Sequence, residues 1–313
     1  MNKNSTILIT GGAGFIGSHL AELLVNKGFK NILNNIVFLR KDINNINASH
    51  LKKYKIKVVI HLAALADIVP SINNPSQYFK SNVTGTINLL EVMRELSIKK
   101  IIYAASSSCY GLAKTPTSEE MAIDTQYPYA FTKYVGEQSI IHWSKVYKIN
   151  YISLRLFNVY GPRSRTNGTY GAVFGTFLSQ YFNNKPLTIV GNGKQKRDFI
   201  FIEDVVACFF KIMNSSQKNQ IFNVGANNPK AINSIAKILK YTNIVKIPKR
   251  PGEPFITNAN INKIKKAINW FPKTSLKQGV KIMVQDRSIW KKAPLWNKSS
   301  IKNATKDWFK YLK

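Results

Sequence analysis

The sequence predicts an α/β protein in which a doubly wound parallel sheet is joined to a smaller α+β lobe. Three observations support this fold class. A glycine-rich turn follows the first apolar run, apolar and helical runs then alternate up to residue 155, and short apolar segments separated by loops follow Gly161-Pro162. Strands that alternate with helices form β-α-β units, which build parallel sheets. The later change of pattern predicts the second lobe.

The first element is an apolar strand over residues 6–10, which runs directly into Gly11-Gly-Ala-Gly-Phe-Ile-Gly17. Gly12, Gly14 and Gly17 have the spacing G-x-G-x-x-G, whereas Gly11, Gly14 and Gly17 form an equally spaced variant. A strand, such a turn and a helical pattern make the fingerprint of a Rossmann-like dinucleotide site. The pyrophosphate then rests on the N-terminus of the helix. A glycine-rich turn that binds nothing is the alternative interpretation.

The following elements continue this alternation. Strand-like and helical runs are predicted in turn over residues 58–62, 82–96, 100–104, 129–147 and 151–155. Two later apolar runs, residues 198–202 and 221–224, are expected to return to the same sheet. The predicted domains are a dinucleotide-binding domain (1–158 and 199–225), a ligand-binding lobe (159–198 and 226–286) and a C-terminal tail (287–313).

The tail is basic and aromatic, with Trp290, Trp296, Trp308 and Phe309. We expect it to form a helix that packs on the body of the protein or on a partner. A membrane anchor is less consistent with this pattern.

The region between the glycine turn and Asp42 is difficult to assign. Residues 29–33 would serve as a second strand and residues 36–39 as a third, but only Asn34 and Asn35 separate them. Parallel neighbours need a crossover of about a dozen residues. Either one strand is missing from the sheet or the two runs pair in an unusual way.

The charge is strongly positive, with 46 Lys and Arg against 15 Asp and Glu, or +31. The lysines are scattered through almost every segment and accompany no nucleic-acid-binding motif, so a nucleic-acid function is not expected. The charge instead favours anionic small ligands.

Composition also bears on compartment and metal chemistry. No apolar run reaches the roughly 18 residues of a membrane span, and residues 1–5 lead into a strand rather than an apolar signal segment. We therefore expect a cytoplasmic protein. Cys109 and Cys208 are the only cysteines, too few for a disulfide framework or a four-ligand zinc site, and no metal site is predicted.

Tyr129 and Lys133 are candidates for catalysis because residues four apart lie on one face of a helix. A lysine ammonium beside a phenol favours the phenolate and lowers the phenol pKa. A tyrosine with such a pKa exchanges protons with a substrate hydroxyl near neutral pH. Taken alone, the pair is common on helix surfaces.

Together, these motifs resemble the extended short-chain dehydrogenase/reductase family, and within it the UDP-glucose and UDP-N-acetylglucosamine 4-epimerases. The resemblance covers residue 6 to about residue 285. It rests on eight motifs in family order: the glycine turn, His61-Leu-Ala-Ala64, Asn82-Val-Thr-Gly-Thr86, Ser106-Ser-Ser-Cys-Tyr-Gly111, the Tyr129 and Lys133 pair, Phe157-Asn-Val-Tyr-Gly-Pro-Arg163, Lys196-Arg-Asp-Phe199 and Arg250-Pro-Gly-Glu253.

The resemblance implies roles for individual residues. Tyr129 would be the acid/base, Lys133 would hold the nicotinamide ribose, and Ser106 would hydrogen-bond the reacting oxygen. The other implied NAD-binding residues are Gly11, Gly14, Phe15, Ile16, Gly17, Asp42, Ile43, Leu62, Ala63, Ala64 and Asn82. The implied residues for a UDP-sugar substrate are Ser107, Asn158, Arg197, Arg250 and Thr257. Guanidinium groups suit a diphosphate because they match its oxygens bidentately.

The resemblance also implies a reaction: oxidation of the sugar at C4, turnover of the ketone and reduction from its other face. Family dehydratases usually carry Asp-Glu directly after the serine, where this chain has Ser107 and Ser108, so dehydration is disfavoured. The small Thr257 favours N-acetylated sugars. Members commonly dimerise through helices that correspond to residues 86–96 and 129–147, and we expect a homodimer.

One departure from the family concerns the cofactor. The chain is about fifteen residues shorter than relatives before Asp42, and it has no acidic residue between Glu22 and Asp42 to accept hydrogen bonds from the adenosine ribose. A non-catalytic relative that binds a nucleotide sugar without tight NAD binding is therefore an alternative, as is another nucleotide-sugar oxidoreductase or dehydratase of the family.

Structural interpretations also exist for individual motif residues. His61 is expected to pack at a strand end rather than act as a base, and Cys109 to behave as a small buried apolar residue. Arg163 has a surface ion pair as its alternative role. Asn158 has the capping of a turn as its alternative role.

Overall fold

The computed structural model of the protein describes residues 2–29, 37–164 and 173–312. Its strands are β1 (Ile7–Thr10), β2 (Val58–His61), β3 (Lys100–Ser106), β4 (Asn150–Leu156), β5 (Asn158–Tyr160), β6 (Leu187–Val190), β7 (Lys196–Arg197), β8 (Phe199–Phe201), β9 (Gln220–Val224), β10 (Lys230–Ala231) and β11 (Ile244–Ile247).

Its α-helices are α1 (Phe15–Asn26), α2 (Ala48–Leu51), α3 (Ile68–Asn73), α4 (Pro75–Phe79), α5 (Gly85–Glu95), α6 (Pro128–Tyr147), α7 (Val173–Phe182), α8 (Ile202–Met213), α9 (Asn233–Leu239), α10 (Asn262–Ile268), α11 (Leu276–Met283), α12 (Arg287–Lys292), α13 (Lys298–Ala304) and α14 (Lys306–Tyr311). Single turns of other helix types cover Lys52–Tyr54, Lys80–Thr84 and Ser107–Tyr110.

The central sheet is parallel, with strand order β1-β2-β3-β4-β9. Its strands are nearly continuous apolar runs because both faces are covered. Val58 and Ile60 share a core cluster with Leu20 of α1, whereas Val59, between them, packs in a second cluster with Leu89 of α5. Helices therefore lie on both faces, and the predicted doubly wound, Rossmann-like fold is confirmed.

The described residues of the predicted second lobe, together with those at its borders with the first, form three two-stranded sheets. β5 pairs with β8 and β6 with β11 in parallel, and β7 pairs with β10 in antiparallel orientation. Helix α7 packs on β6 in this lobe.

The expectation that both late apolar runs return to the central sheet was half wrong. β9 does join it beside β4, but β8 pairs with β5 outside it. The reason is aromatic packing: Phe199 and Phe201 of β8 lie edge-on to Tyr160, which stacks on Phe174 at 4.5 Å between ring centroids.

The outer edge of β1 differs from the rest of the sheet. In the described ranges, no strand pairs with β1 on the side away from β2. The proposed second strand and the start of the third fall largely on residues 30–36, which lie outside those ranges. The described remainder of the third, residues 37–39, is not a strand, and Phe38 is 68% exposed.

The tail forms α12, α13 and α14, which pack on the body as expected. Trp290 and Trp308 are buried, and Trp308 shares a small core cluster with Val69 of α3 and Ile247 of β11. Within residues 2–29, 37–164 and 173–312, helices of the length and apolarity needed to traverse a bilayer are absent.

Candidate active site

The glycine turn between β1 and α1 packs tightly on the loop that follows β2. Gly11 has a φ of +68°, and a Cβ atom on it would lie 2.8 Å from the backbone nitrogen of Ala63. A Cβ atom on Gly17 would lie 2.2 Å from the carbonyl oxygen of Gly11. Both positions therefore exclude any side chain, and the close backbone approach of a dinucleotide fingerprint is present.

The N-terminus of α1 suits a phosphate group. Gly14 is the N-cap, no side chain in the described part of the chain caps the helix, and its first turn contains no acidic residue. Uncapped N–H groups and the positive end of the helix dipole attract anions. Gly14, Phe15, Ile16 and Gly17 thus have the arrangement that a pyrophosphate needs.

A chain of hydrogen bonds joins the ends of β1 and β2 to α5. Nδ1 of His61 lies 2.7 Å from the Thr10 hydroxyl, and its Nε2 lies 2.9 Å from the Thr86 hydroxyl. Because Thr86 donates to the carbonyl oxygen of Asn82, Thr86 accepts from Nε2 and Thr10 donates to Nδ1. Burial, aided by the charge of Lys133, lowers the pKa of His61 to about 3. His61 is therefore a neutral structural residue.

The same region orders the loop that was predicted to contact the cofactor. The Thr10 oxygen accepts hydrogen bonds from the backbone N–H groups of Leu62 and Ala63, both at 3.2 Å. The buried amide of Asn82 accepts from the N–H of Leu65 at 2.8 Å and donates to its carbonyl oxygen at 3.0 Å. Asn82 lies on a π-helical turn, a feature frequent at functional sites. The Asn82 side chain therefore positions this loop through hydrogen bonds to the loop backbone.

Ser106 and Tyr129 meet at the carboxyl end of β3. Ser106 is the last residue of that strand, and its hydroxyl accepts from the N–H of Ser108 at 3.2 Å. Tyr129 lies half-buried in the first turn of α6. Burial raises the pKa of the Tyr129 phenol, while a hydrogen bond with the Ser106 side chain acts in the opposite direction. Ser107 begins the turn that follows.

Lys133 lies one helical turn beyond Tyr129 and is buried. Its Nζ is 4.1 Å from the centroid of the Tyr103 ring, a cation–π contact. Burial lowers the pKa of Lys133 to about 7, and the charge of Glu137 opposes this shift. The predicted lowering of the Tyr129 pKa by Lys133 is not found, because burial is the dominant effect and raises that pKa.

A buried ion pair supports this part of α6, and the sequence analysis did not identify it. Nη2 of Arg155 lies 2.6 Å from Oε1 of Glu137, and both side chains are almost fully buried. Ser153 donates to the same carboxylate at 2.6 Å, and Arg155 donates to the Tyr110 hydroxyl at 2.8 Å. That hydroxyl donates to Asn223, so the network links α6 to β4 and β9. No local sequence signal indicated this pair, because its two residues lie 18 positions apart on different elements.

The predicted adenine contacts lie on the surface. Asp42 is exposed and accepts hydrogen bonds from the backbone and side-chain nitrogens of Asn44, both at 2.8 Å. The side chain of Asn88 donates to the carbonyl oxygens of Ile43 and Ile46 at 2.8 and 2.7 Å. Asn88 therefore ties this loop to α5.

Two of the predicted substrate residues, Asn158 and Thr257, are hydrogen-bonded to each other. The Thr257 hydroxyl donates to Oδ1 of Asn158 at 3.1 Å and accepts from the N–H of Asp198 at 3.1 Å. Arg197 is buried, and its Nη2 lies 2.7 Å from Oε1 of Glu253. The Asn158 side chain therefore contacts Thr257 rather than capping the nearby turn.

Arg250 lies against the C-terminal tail. Its guanidinium carbon is 5.5 Å from the centroid of the Trp308 indole. Trp308 belongs to the tail, and nothing in its local sequence predicted this contact.

Two further predictions concern Cys109 and Arg163, to which the sequence analysis assigned no part in the reaction. Burial raises the pKa of Cys109 to about 12, which agrees with an unreactive buried residue. Arg163 is exposed and forms an ion pair with Glu22 at 2.7 Å, which agrees with the surface alternative.

Comparison with known proteins agrees with this geometry. Residues 7–225 match the model of the NAD dependent epimerase/dehydratase family. The chain is 34% identical to a UDP-glucuronate 4-epimerase of Thermodesulfobacterium geofontis over 307 residues, which span 88% of this chain and 93% of the relative.

Solved structures are equally similar. A UDP-glucose 4-epimerase from Thermotoga maritima with UDP-glucose has a TM-score of 0.82 and 30% identity, covering 89% of this chain and 97% of its own. A UDP-glucuronic acid 4-epimerase from Bacillus cereus, in complex with UDP-glucuronic acid and NAD, also has a TM-score of 0.82 and 30% identity, covering 90% and 99%. The chain therefore belongs to the NAD-dependent epimerase/dehydratase family.

Proposed function

We propose that the protein is an NAD-dependent nucleotide-sugar 4-epimerase with a UDP-sugar as substrate. The observation that carries this proposal is the group formed by Ser106, Tyr129 and Lys133, at the same sheet edge as a glycine turn suited to pyrophosphate. In open parallel sheets, ligands bind at the carboxyl ends of the strands. Relatives of the same family and fold act on UDP-glucose and UDP-glucuronate.

The proposed mechanism assigns one proton to Tyr129. In its phenolate form, the Tyr129 oxygen takes the proton of the sugar 4-hydroxyl and later returns it, as general base and then general acid. Ser106 hydrogen-bonds the reacting oxygen. Lys133, when protonated, favours the phenolate. The glycine turn and Lys133 would hold NAD, which would supply the acceptor and donor of the C4 hydride. Ser107 and Ser108 provide no carboxyl group for dehydration.

The identity of the sugar is the finer part of the proposal. Thr257 is small and half-buried, and its hydroxyl is held by Asn158 and Asp198. Such a side chain leaves room for an N-acetyl group, so UDP-N-acetylglucosamine joins UDP-glucose and UDP-glucuronate as a candidate substrate.

A homodimer through α5 and α6 is also proposed. Phe131, Val146 and Tyr147 of α6 are 43%, 51% and 38% exposed, and Phe131 contacts the exposed Phe79. Exposed apolar side chains that contact one another, as Phe79 and Phe131 do, mark interaction surfaces. A mass in solution of twice the 35.4 kDa chain, measured by light scattering, would support the dimer, and a mass equal to one chain would exclude it.

The second candidate function is a nucleotide-sugar-binding protein without catalysis. The observation that favours it is the short region before Asp42, together with the lack, in the described ranges, of a strand on the side of β1 away from β2. Such a protein would bind UDP but not NAD.

The test is to incubate the protein with NAD and each UDP-sugar and to follow formation of the 4-epimer by NMR. Tyr129→Phe is expected to lower kcat by about 10²- to 10⁴-fold and to retain UDP binding. Tyr147→Phe, at the exposed end of the same helix, is the matched control and is expected to retain activity. UDP binding without NAD binding or conversion in the unmodified protein would favour the second candidate.

A further inference from the structure

The C-terminal tail connects parts of both lobes around the candidate active site. Ile301 of α13 and Trp308 of α14 form a buried cluster with Val69 of α3 and Ile247 of β11. α3 follows the loop after β2, whereas β11 leads directly into the segment that contains Arg250. The tail therefore contacts the helix that follows the predicted cofactor loop and the strand that precedes the Arg250 segment.

Trp308 makes specific contacts with the second of these segments. Its indole is 2% exposed, and its Nε1 donates to the carbonyl oxygen of Pro251 at 2.8 Å. The Arg250 guanidinium lies 5.5 Å from the ring centroid. In the same segment, Glu253 forms the 2.7 Å ion pair with Arg197. One tail residue thus contacts the backbone and the cation of a segment predicted to hold the diphosphate.

Trp308 also contacts the residue that precedes the catalytic helix. Its ring centroid lies 6.0 Å from that of Tyr127, the N-cap residue of α6. The Tyr127 hydroxyl is hydrogen-bonded to the side chain of Ser108, two residues after Ser106. The indole therefore lies between the Arg250 segment and the start of the catalytic helix.

Trp290 provides an internal comparison. It is also a buried tail tryptophan, and its Nε1 also donates to a backbone carbonyl, that of Met283 at 2.6 Å. It packs on α7 and the end of α11, away from the Arg250 segment. The two indoles share burial and hydrogen bonding, but only Trp308 contacts predicted substrate residues.

We propose that Trp308 is a positioning residue for nucleotide-diphosphate binding, which orients Arg250 and orders residues 250–253 from the tail. This inference rests on the proposed function in that the ligand is the diphosphate of a nucleotide sugar. It extends that function by making the substrate site incomplete without the tail. A guanidinium held over an aromatic ring loses less freedom when it binds phosphate, and preorganisation of this kind increases affinity.

The test compares Trp308→Phe with Trp290→Phe in the full chain. Trp308→Phe keeps an aromatic ring but removes the donor to Pro251. We expect it to raise the Kd for UDP, and the KM for the active UDP-sugar, by about three- to tenfold, the value of one net hydrogen bond. Its kcat and NAD affinity should change by less than about twofold, because the substitution weakens binding of the substrate and of the transition state equally. Trp290→Phe should leave all four quantities unchanged.

Hydrogen exchange of unliganded protein provides a readout that needs no activity. Amides of Arg250, Gly252 and Glu253 should exchange faster in Trp308→Phe than in either the unmodified protein or Trp290→Phe. Equal exchange in all three proteins, or an unchanged Kd for UDP in Trp308→Phe, would overturn the proposal. If the unmodified protein lacks epimerase activity, the proposed function fails while these two measurements still decide the role of Trp308.

Discussion

The two ends of the candidate cofactor site are built differently. Near Lys133, the side chains are buried, and an ion pair between Glu137 and Arg155 joins helix α6 to the sheet. At the adenine end, Asp42 is exposed, and the described part of the chain provides no strand on the side of β1 away from β2. The comparison teaches that the candidate reaction centre is held by the core of the protein, whereas the predicted adenine end is held by one loop.

The largest effect is expected at the Glu137–Arg155 pair. Glu137→Gln leaves the Arg155 charge buried without its counter-charge, so we expect the free energy of unfolding to fall by about 3–5 kcal/mol in urea titrations. Glu22→Gln is the matched control, because its ion pair with Arg163 is exposed and should contribute less than about 1 kcal/mol. Equal losses in the two variants would contradict the contrast between buried core and surface.

The next effect concerns the glycine turn that joins the two ends. Gly17→Ala places a methyl group 2.2 Å from the Gly11 carbonyl oxygen, and such overpacking costs about 1–3 kcal/mol. We expect NAD affinity, measured by calorimetry, to fall by up to roughly a hundredfold. In Gly12→Ala the nearest atom lies at 3.3 Å, so this control should lose far less. A tight NAD complex of Gly17→Ala would show that the turn is not the pyrophosphate site.

Lys133→Met tests how burial acts at the reaction centre. The folded-state pKa of Lys133 is lowered to about 7, whereas an unfolded lysine keeps its proton to about pH 10. Between these values the unfolded chain binds more protons, so stability should rise with pH. From pH 7 to 9, the unmodified protein should gain about 2 kcal/mol relative to Lys133→Met in urea unfolding. Parallel pH profiles of the two proteins would mean that Lys133 keeps an ordinary pKa.

The smallest effect is expected at Asp42. Asp42→Asn retains an acceptor for the Asn44 N–H and removes only an exposed charge, so NAD affinity should change by less than about threefold. Affinity for UDP should not change. A loss of NAD affinity as large as that expected for Gly17→Ala would show that Asp42 contributes as much to NAD binding as the glycine turn does.

Much of the site could be predicted because its signals are local. The strand, glycine turn and helix of residues 7–26 follow from apolar patterning and from positions that exclude a Cβ atom. The Tyr129 and Lys133 pair follows from helical spacing. The neutral role of His61 was also expected from its strand-end position.

Other features could not be predicted because they depend on pairs distant in sequence. Tyr103 beneath Lys133, and Arg155 beside Glu137, become visible only when α6 packs on the sheet. β8 has the apolar pattern of a central strand, yet packing of Phe199 and Phe201 around Tyr160 places it with β5.

The sequence by itself determined the fold class, the glycine turn and the order of the catalytic motifs, because short-range sterics and periodicity specify them. The tertiary structure alone decided the pKa direction of Tyr129, the pKa of Lys133 and the contact of Trp308 with the Arg250 segment. Burial and partner distance control each of these, and both arise only when separate elements of the chain pack together.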